Sequence, residues 1–302
     1  MGPYGRHLPA YRRVMNPARV TAAIAVLVAT VLPGPRASAA PPAHYVALGD
    51  SYTSAPLVPP VAPGSPPQCG RSASNYPHVL AGALRVALTD VSCGGATVGH
   101  FSKAQYNDLP PQFDALSADT TLVSVGIGGN DNNLFASVVA GCGPATLLLL
   151  TGSLAPCRDT FGDKFAKGIA ADEVNLRAAL REIHRRAAHA RVLVVGYPNI
   201  LPTDAFGRAG CVLAGVPFTP GDMAYVDAIE RALNAMLARA AKAEHAVFVD
   251  TYTPSVGHDM CRLPGTRWIE PLLPLSPAAQ FHPNAAGEAA TAADLHRALG
   301  HA

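Results

Sequence analysis

Five short apolar runs, at residues 44–48, 86–92, 121–126, 191–196 and 246–250, set the limits on how this chain can fold. They are apolar at successive positions, so both faces of each run are covered, as in a parallel sheet between layers of helices. Helical patterns separate the last three. Leu176, Leu180, Ile183 and Ala187 step by four, three and four. Val226, Ile229, Leu233, Leu237 and Ala240 do the same, behind Thr219 as N-cap and Pro220 at the first helical position. Residues 283–299 read as a final helix. Strands alternating with helices predict an open α/β sheet. Residues 58–67 are rich in proline and read as a surface loop.

The first 39 residues stand apart. Arg6, Arg12, Arg13 and Arg19 precede an almost unbroken apolar run at 20–32, and Ala37-Ser38-Ala39 reads as a small-residue cleavage site. This is the pattern of a signal peptide, and the run is short for a membrane span of about 20 residues. An uncleaved N-terminal anchor is the alternative. Arg12-Arg13 alone does not decide between Sec and twin-arginine export. Cleavage after Ala39 leaves residues 40–302 as a single domain, long enough to bury a full core. It also removes five arginines and no acid, turning a formal charge of +2 into −3. A mature chain without a basic excess gives no reason to expect nucleic acid.

All six cysteines, Cys69, Cys93, Cys142, Cys157, Cys211 and Cys261, lie in the mature part. In an exported protein an even number predicts three disulfides. Six cysteines allow 15 pairings, and the sequence does not choose among them. The sequential one, Cys69–Cys93, Cys142–Cys157 and Cys211–Cys261, closes the shortest loops. With no C-x-x-C pair and no H-x-x-x-H cluster, a metal site is not expected.

The chemistry sits at the ends of the runs. The first passes directly into Gly49-Asp50-Ser51, which presents a hydroxyl at the carboxyl edge of the sheet. A strand-to-helix turn capped by Asp50 is the plain alternative. The second run ends in Cys93-Gly94-Gly95, where glycine lets a backbone N–H approach a ligand. The third ends in Gly128-Gly129-Asn130-Asp131, which supplies an amide able to donate to a developing oxyanion. A base for Ser51 is available in Phe281-His282-Pro283-Asn284, ahead of the final helix, with His258 as its rival.

Gly49-Asp50-Ser51, Gly94-Gly95, Gly128-Gly129-Asn130-Asp131 and His282-Pro283-Asn284, in this order, resemble the four blocks of the SGNH (GDSL) hydrolase superfamily. The context Gly49 to Ser54, the six cysteines and His258-Asp259-Met260-Cys261 are similar to its secreted actinobacterial esterases and lipases. The resemblance implies a three-layer α/β/α flavodoxin-like fold with a five-stranded parallel sheet. It implies ester hydrolysis through an acyl-enzyme, with Ser51 as nucleophile and His282 as base. The Ser51 N–H, the Gly95 N–H and the Asn130 side chain would form the oxyanion hole, while Asp50 orders the turn.

One departure stands out. The superfamily usually carries Asp three residues before the histidine, where this chain has Ala279. The expectation is a Ser51–His282 dyad in which the Ala279 carbonyl accepts the imidazole Nδ1–H. A carboxylate from Glu270 or Asp259 is the rival. Leu147, Leu148, Leu149 and Leu150, between Cys142 and Cys157, read either as a short core helix or as an apolar wall for an acyl chain.

The expected function is therefore secreted carboxylic ester hydrolysis, extracellular or at the cell wall, by a monomer without a cofactor. Its expected partners are small-molecule or lipid esters, with transient contact with a lipid surface. Carbohydrate O-deacetylation and acyl transfer fit the same blocks. A non-catalytic binding protein on this scaffold fits poorly, because Ser51, Asn130 and His282 are all present.

Overall fold

The computed structural model describes residues 43–143, 152–213 and 216–300, so the expected signal peptide and Leu147 to Leu150 lie outside the described residues. Five parallel strands form one sheet: β1 (His44–Gly49), β2 (Ala87–Asp90), β3 (Thr120–Gly126), β4 (Arg191–Val195) and β5 (Val247–Val249), in the order β2-β1-β3-β4-β5. That is the flavodoxin-like order, whose direction of winding reverses between β1 and β3.

Residue alternation along the strands separates two apolar layers. Val46, Leu48, Val123, Val125, Val192 and Val194 face one side, against the helices α5 (Lys164–Arg186) and α7 (Pro220–Ala243). Tyr45, Ala47, Leu122, Leu193 and Val195 face the other, against α2 (Tyr76–Leu84) and α9 (Ala285–Gly300). Each fully buried Leu or Val contributes about 1.5–3 kcal/mol from burial. The remaining described helices are α1 (Ser51–Ser54), α3 (Leu134–Cys142), α4 (Pro156–Phe161), α6 (Ala205–Leu213) and α8 (Tyr252–Ser255).

Polar side chains set the element ends where apolar pattern alone placed them differently. β2 stops at Asp90, whose Oδ1 accepts from the Ser92 N–H and hydroxyl. β5 stops before Asp250, whose Oδ1 accepts from the Tyr252 and Thr253 N–H groups at the start of α8. Thr219 caps α7 as the sequence predicts, accepting from the Asp222 N–H. α9 starts at Ala285, not 283. Pro283 instead bridges to Ile269, and Asn284 Oδ1 accepts from the Ala286 and Gly287 N–H groups. α5 begins well before Leu176, because Phe165 and Ile169 extend its buried face.

Disulfides join Cys69–Cys93, Cys142–Cys157 and Cys211–Cys261, over separations of 24, 15 and 50 residues. Restricting unfolded loops of such lengths contributes about 3–4 kcal/mol each in the chain-entropy view.

Candidate active site

The parallel register pairs Gly49 with Gly126 and so brings the turns after β1 and β3 side by side. The β1 turn is fixed from several directions. Gly49 N–H donates to Gln112 Oε1 at 2.8 Å, and Gln112 Nε2 donates back to the Gly49 carbonyl at 3.0 Å. Asp50 N–H donates to the Gly126 carbonyl at 2.9 Å. Glycine is required at 49, since a Cβ there would lie 2.7 Å from that same Gly126 oxygen. Asp50 then caps α1, its Oδ1 accepting from the Tyr52 N–H at 2.9 Å.

Tyr197, just past β4, links the two turns. Its hydroxyl donates to Asp50 Oδ2 at 2.5 Å and accepts from the Gly129 N–H at 2.8 Å. Burial pushes the Asp50 carboxyl up to about 7, against the opposing pull of these hydrogen bonds. The ring of Tyr197 also packs edge-on against Tyr52, 5.1 Å between centroids.

The β2 turn joins the same edge. Cys93 N–H donates to the Gly49 carbonyl and Gly94 N–H to the Cys69 carbonyl, both at 3.0 Å. Gly95 has φ +76°, a left-handed conformation open to glycine. Asn130 Nδ2 donates to the Ala96 carbonyl at 3.0 Å, which orients the amide and leaves its second N–H for another acceptor. Asp131 accepts from the Val98 N–H, and burial pushes its carboxyl up to about 6.

His282 reaches this edge from the loop before α9. Its ring is buried against Tyr52 and Phe135, with centroids at 5.0 and 5.5 Å. Nδ1 lies 2.6 Å from the Gln280 carbonyl. A carbonyl only accepts, so Nδ1 carries the proton and Nε2 presents its lone pair. Nε2 is buried and makes no hydrogen bond among the described residues. Burial lowers the pKa of the imidazole, which favours the neutral form.

The Ala279 carbonyl does not hold the ring, which corrects the expectation from the sequence. It accepts the main-chain N–H of His282 at 3.2 Å. Phe281 adopts φ +61°, and this tight turn directs the preceding carbonyl, that of Gln280, toward Nδ1. Tyr52 supports the turn by donating to the Phe281 carbonyl at 2.6 Å.

The rival groups are occupied elsewhere. Glu270 is fully buried and accepts from Arg267, Asn284 Nδ2 and the N–H groups of Leu275 and Ser276. Its contribution to His282 is through the main chain, since its N–H donates to the His282 carbonyl at 3.0 Å. Asp259 pairs with Arg262 and accepts from the Cys261 N–H. His258 stacks on Trp268 at 3.8 Å.

Ser51 and Asn130 open onto one narrow cleft. Leu134, Phe135 and Val138 of α3, Ile200, and Val226, Ile229 and Leu233 of α7 make it mainly apolar. Asp50, Tyr197 and Glu230 also line it. Tyr52, Phe135, Tyr197, Gln280 and Glu230 were not singled out from the sequence. Only Tyr197 had a readable signal, its position directly after β4 at the carboxyl edge.

A profile of the GDSL-like Lipase/Acylhydrolase family matches residues 47–290. The chain is 44% identical over 284 residues to "Lipase 2" of Streptomyces coelicolor, covering 93% of this chain and 94% of that protein. The solved extracellular lipase from Streptomyces rimosus superposes with a TM-score of 0.65 at 28% identity, over 85% of this chain and 99% of that one. Phospholipase A1 from Streptomyces albidoflavus NA297 does so with a TM-score of 0.64 at 25% identity and the same coverage. The chain belongs to the GDSL-like lipase/acylhydrolase family and is a serine ester hydrolase.

Proposed function

We propose that Ser51 and His282 form a catalytic dyad that hydrolyses carboxylic esters whose acyl chain occupies the apolar cleft. The observation that carries this reading is the state of His282: Nδ1 sits on the Gln280 carbonyl, Nε2 is buried without a partner among the described residues, and burial favours the neutral ring. Nε2 takes the Ser51 proton as Oγ attacks the ester carbonyl. The oxyanion accepts from the Ser51 and Gly95 N–H groups and from the free N–H of Asn130. The imidazolium then protonates the leaving alcohol. Water, deprotonated by the same Nε2, attacks the acyl-enzyme and regenerates Ser51. No carboxylate takes part, so Asp50 serves the turn and not the proton transfer.

The apolar walls support an acyl chain over the sugar of a carbohydrate deacetylase. Exposed Leu57, Leu273 and Leu275 support transient contact with a lipid surface. The 1–39 segment, three disulfides and an extracellular relative support export with cleavage after Ala39.

The test is hydrolysis of p-nitrophenyl acetate, butyrate, octanoate and palmitate by the mature protein and by Ser51→Ala. The expected loss is about 10⁴-fold or more for every ester the native protein cleaves. Equal rates in both would make Ser51 a turn residue only.

A further inference from the structure

The apolar wall that α7 gives the cleft has one exception. Val226, Ile229 and Leu233 line it at helical spacing, and Glu230 lines it beside them. Glu230 is buried, 7% exposed as a residue, and it faces the cleft. Buried acids are normally paired or fully hydrogen-bonded. This one has a single long contact among the described residues, from the Ile200 N–H to Oε2 at 3.4 Å. The neighbouring cation makes no hydrogen bond to it among the described residues, because Arg231 donates to Asp227 at 3.0 Å. Asp227 in turn takes the Tyr252 hydroxyl. Oε1 is left without a hydrogen-bond partner among the described residues, on a side chain that faces the substrate cleft.

We propose that Glu230 binds a hydroxyl group of the substrate, so that the cleft selects hydroxyl-bearing esters over plain alkyl esters. The inference rests on the reading that the ester lies in the cleft at Ser51. Burial raises the Glu230 carboxyl well above the usual range, which favours its neutral form. A neutral carboxyl offers one donor and one acceptor, and an alcohol offers the same pair in return. A purely apolar chain would leave the buried carboxyl unsatisfied, which works against such substrates. The hydroxyl can come from the alcohol part, as in a partial ester of a polyol, or from the acyl part, as in a hydroxy acid.

The experiment compares kcat/KM for glycerol monobutyrate, ethyl 3-hydroxybutyrate, ethyl butyrate and butyrylcholine. The native protein should prefer one of the hydroxylated esters over ethyl butyrate by about tenfold. Preference for glycerol monobutyrate places the hydroxyl on the alcohol side, and preference for the hydroxybutyrate places it on the acyl side. Glu230→Met should abolish the preference, lowering kcat/KM for the favoured hydroxylated ester by about tenfold more than for ethyl butyrate, and Glu230→Gln, which still donates and accepts, should retain most of it. Glu230→Ala makes the same comparison should E230M fail to fold. Absence of preference in the native protein, an equal loss on every ester in E230M, or preference for butyrylcholine over the hydroxylated esters would each overturn the proposal. If ethyl butyrate cleavage were unchanged in Ser51→Ala, the Ser51 reading itself would fall, a result distinct from the loss of selectivity alone.

Discussion

The Ser51 turn is tied to β3, to the Gln112 side chain and through Asp50 to Tyr197, whereas the His282 imidazole is oriented by the Gln280 carbonyl. The first is held by many side chains, each open to substitution. The second depends on a peptide group that every residue except its conformation preserves. If the proposed Ser51–His282 dyad acts without a carboxylate, the side-chain sensitivity of catalysis moves to the Ser51 and Asn130 side. The two turns also communicate. Tyr52 follows Ser51 in sequence and donates to the carbonyl of Phe281, the residue before His282.

The largest effect expected from that contrast is at Asn130. Asn130→Ala should lower kcat on p-nitrophenyl butyrate by about 10²–10³-fold, as removal of one oxyanion donor does elsewhere. A loss below about threefold would take its amide out of the oxyanion hole. Tyr197→Phe comes next. It leaves Asp50 Oδ2 and the Gly129 N–H unpartnered, which should cost about 1–3 kcal/mol of stability in denaturant melts. With both turns loosened, kcat should fall by about tenfold. Unchanged stability and rate would mean that the two turns hold their geometry without this link. The smallest effects belong to the His282 side. Gln280→Ala keeps the carbonyl and Asp259→Asn changes a group held by Arg262, so both should stay within about threefold of native kcat/KM. A loss of about 10³-fold in D259N would put a carboxylate behind His282 and end the dyad account.

This asymmetry also explains what the sequence could reveal. The central strands β1, β3 and β4 are legible because a covered parallel strand is apolar on both faces, whereas the edge strands β2 and β5 are partly exposed, against the expectation that all five are covered. Ser51, Asn130 and His282 are legible because each sits next to the end of an element, in a turn of recognisable composition. The Gln280 carbonyl is not legible. Its choice over Ala279 depends on a positive φ at Phe281, a residue type that does not advertise that conformation. Tyr197 and Glu230 are hidden for a different reason, since their partners lie far away in sequence or line the cleft from other elements. The sequential disulfide pairing expected from the sequence is, by contrast, the one that forms, Cys211–Cys261 across 50 residues included.

The proposed dyad requires a neutral His282 with its proton on Nδ1 and its Nε2 available to Ser51. Nitrogen NMR of histidine-labelled protein, assigned with His282→Gln, reads this directly. The account predicts the Nδ1–H tautomer at pH 7 and titration below the ordinary value of about 6.5, because burial disfavours the imidazolium. The acid limb of kcat/KM should follow the same titration. The unfolded chain binds this proton more readily, so the stability due to His282 is present above about 6.5 and is lost as pH falls through the unfolded and then the folded pKa. An Nε2–H tautomer, or an imidazolium at pH 7, would contradict the account.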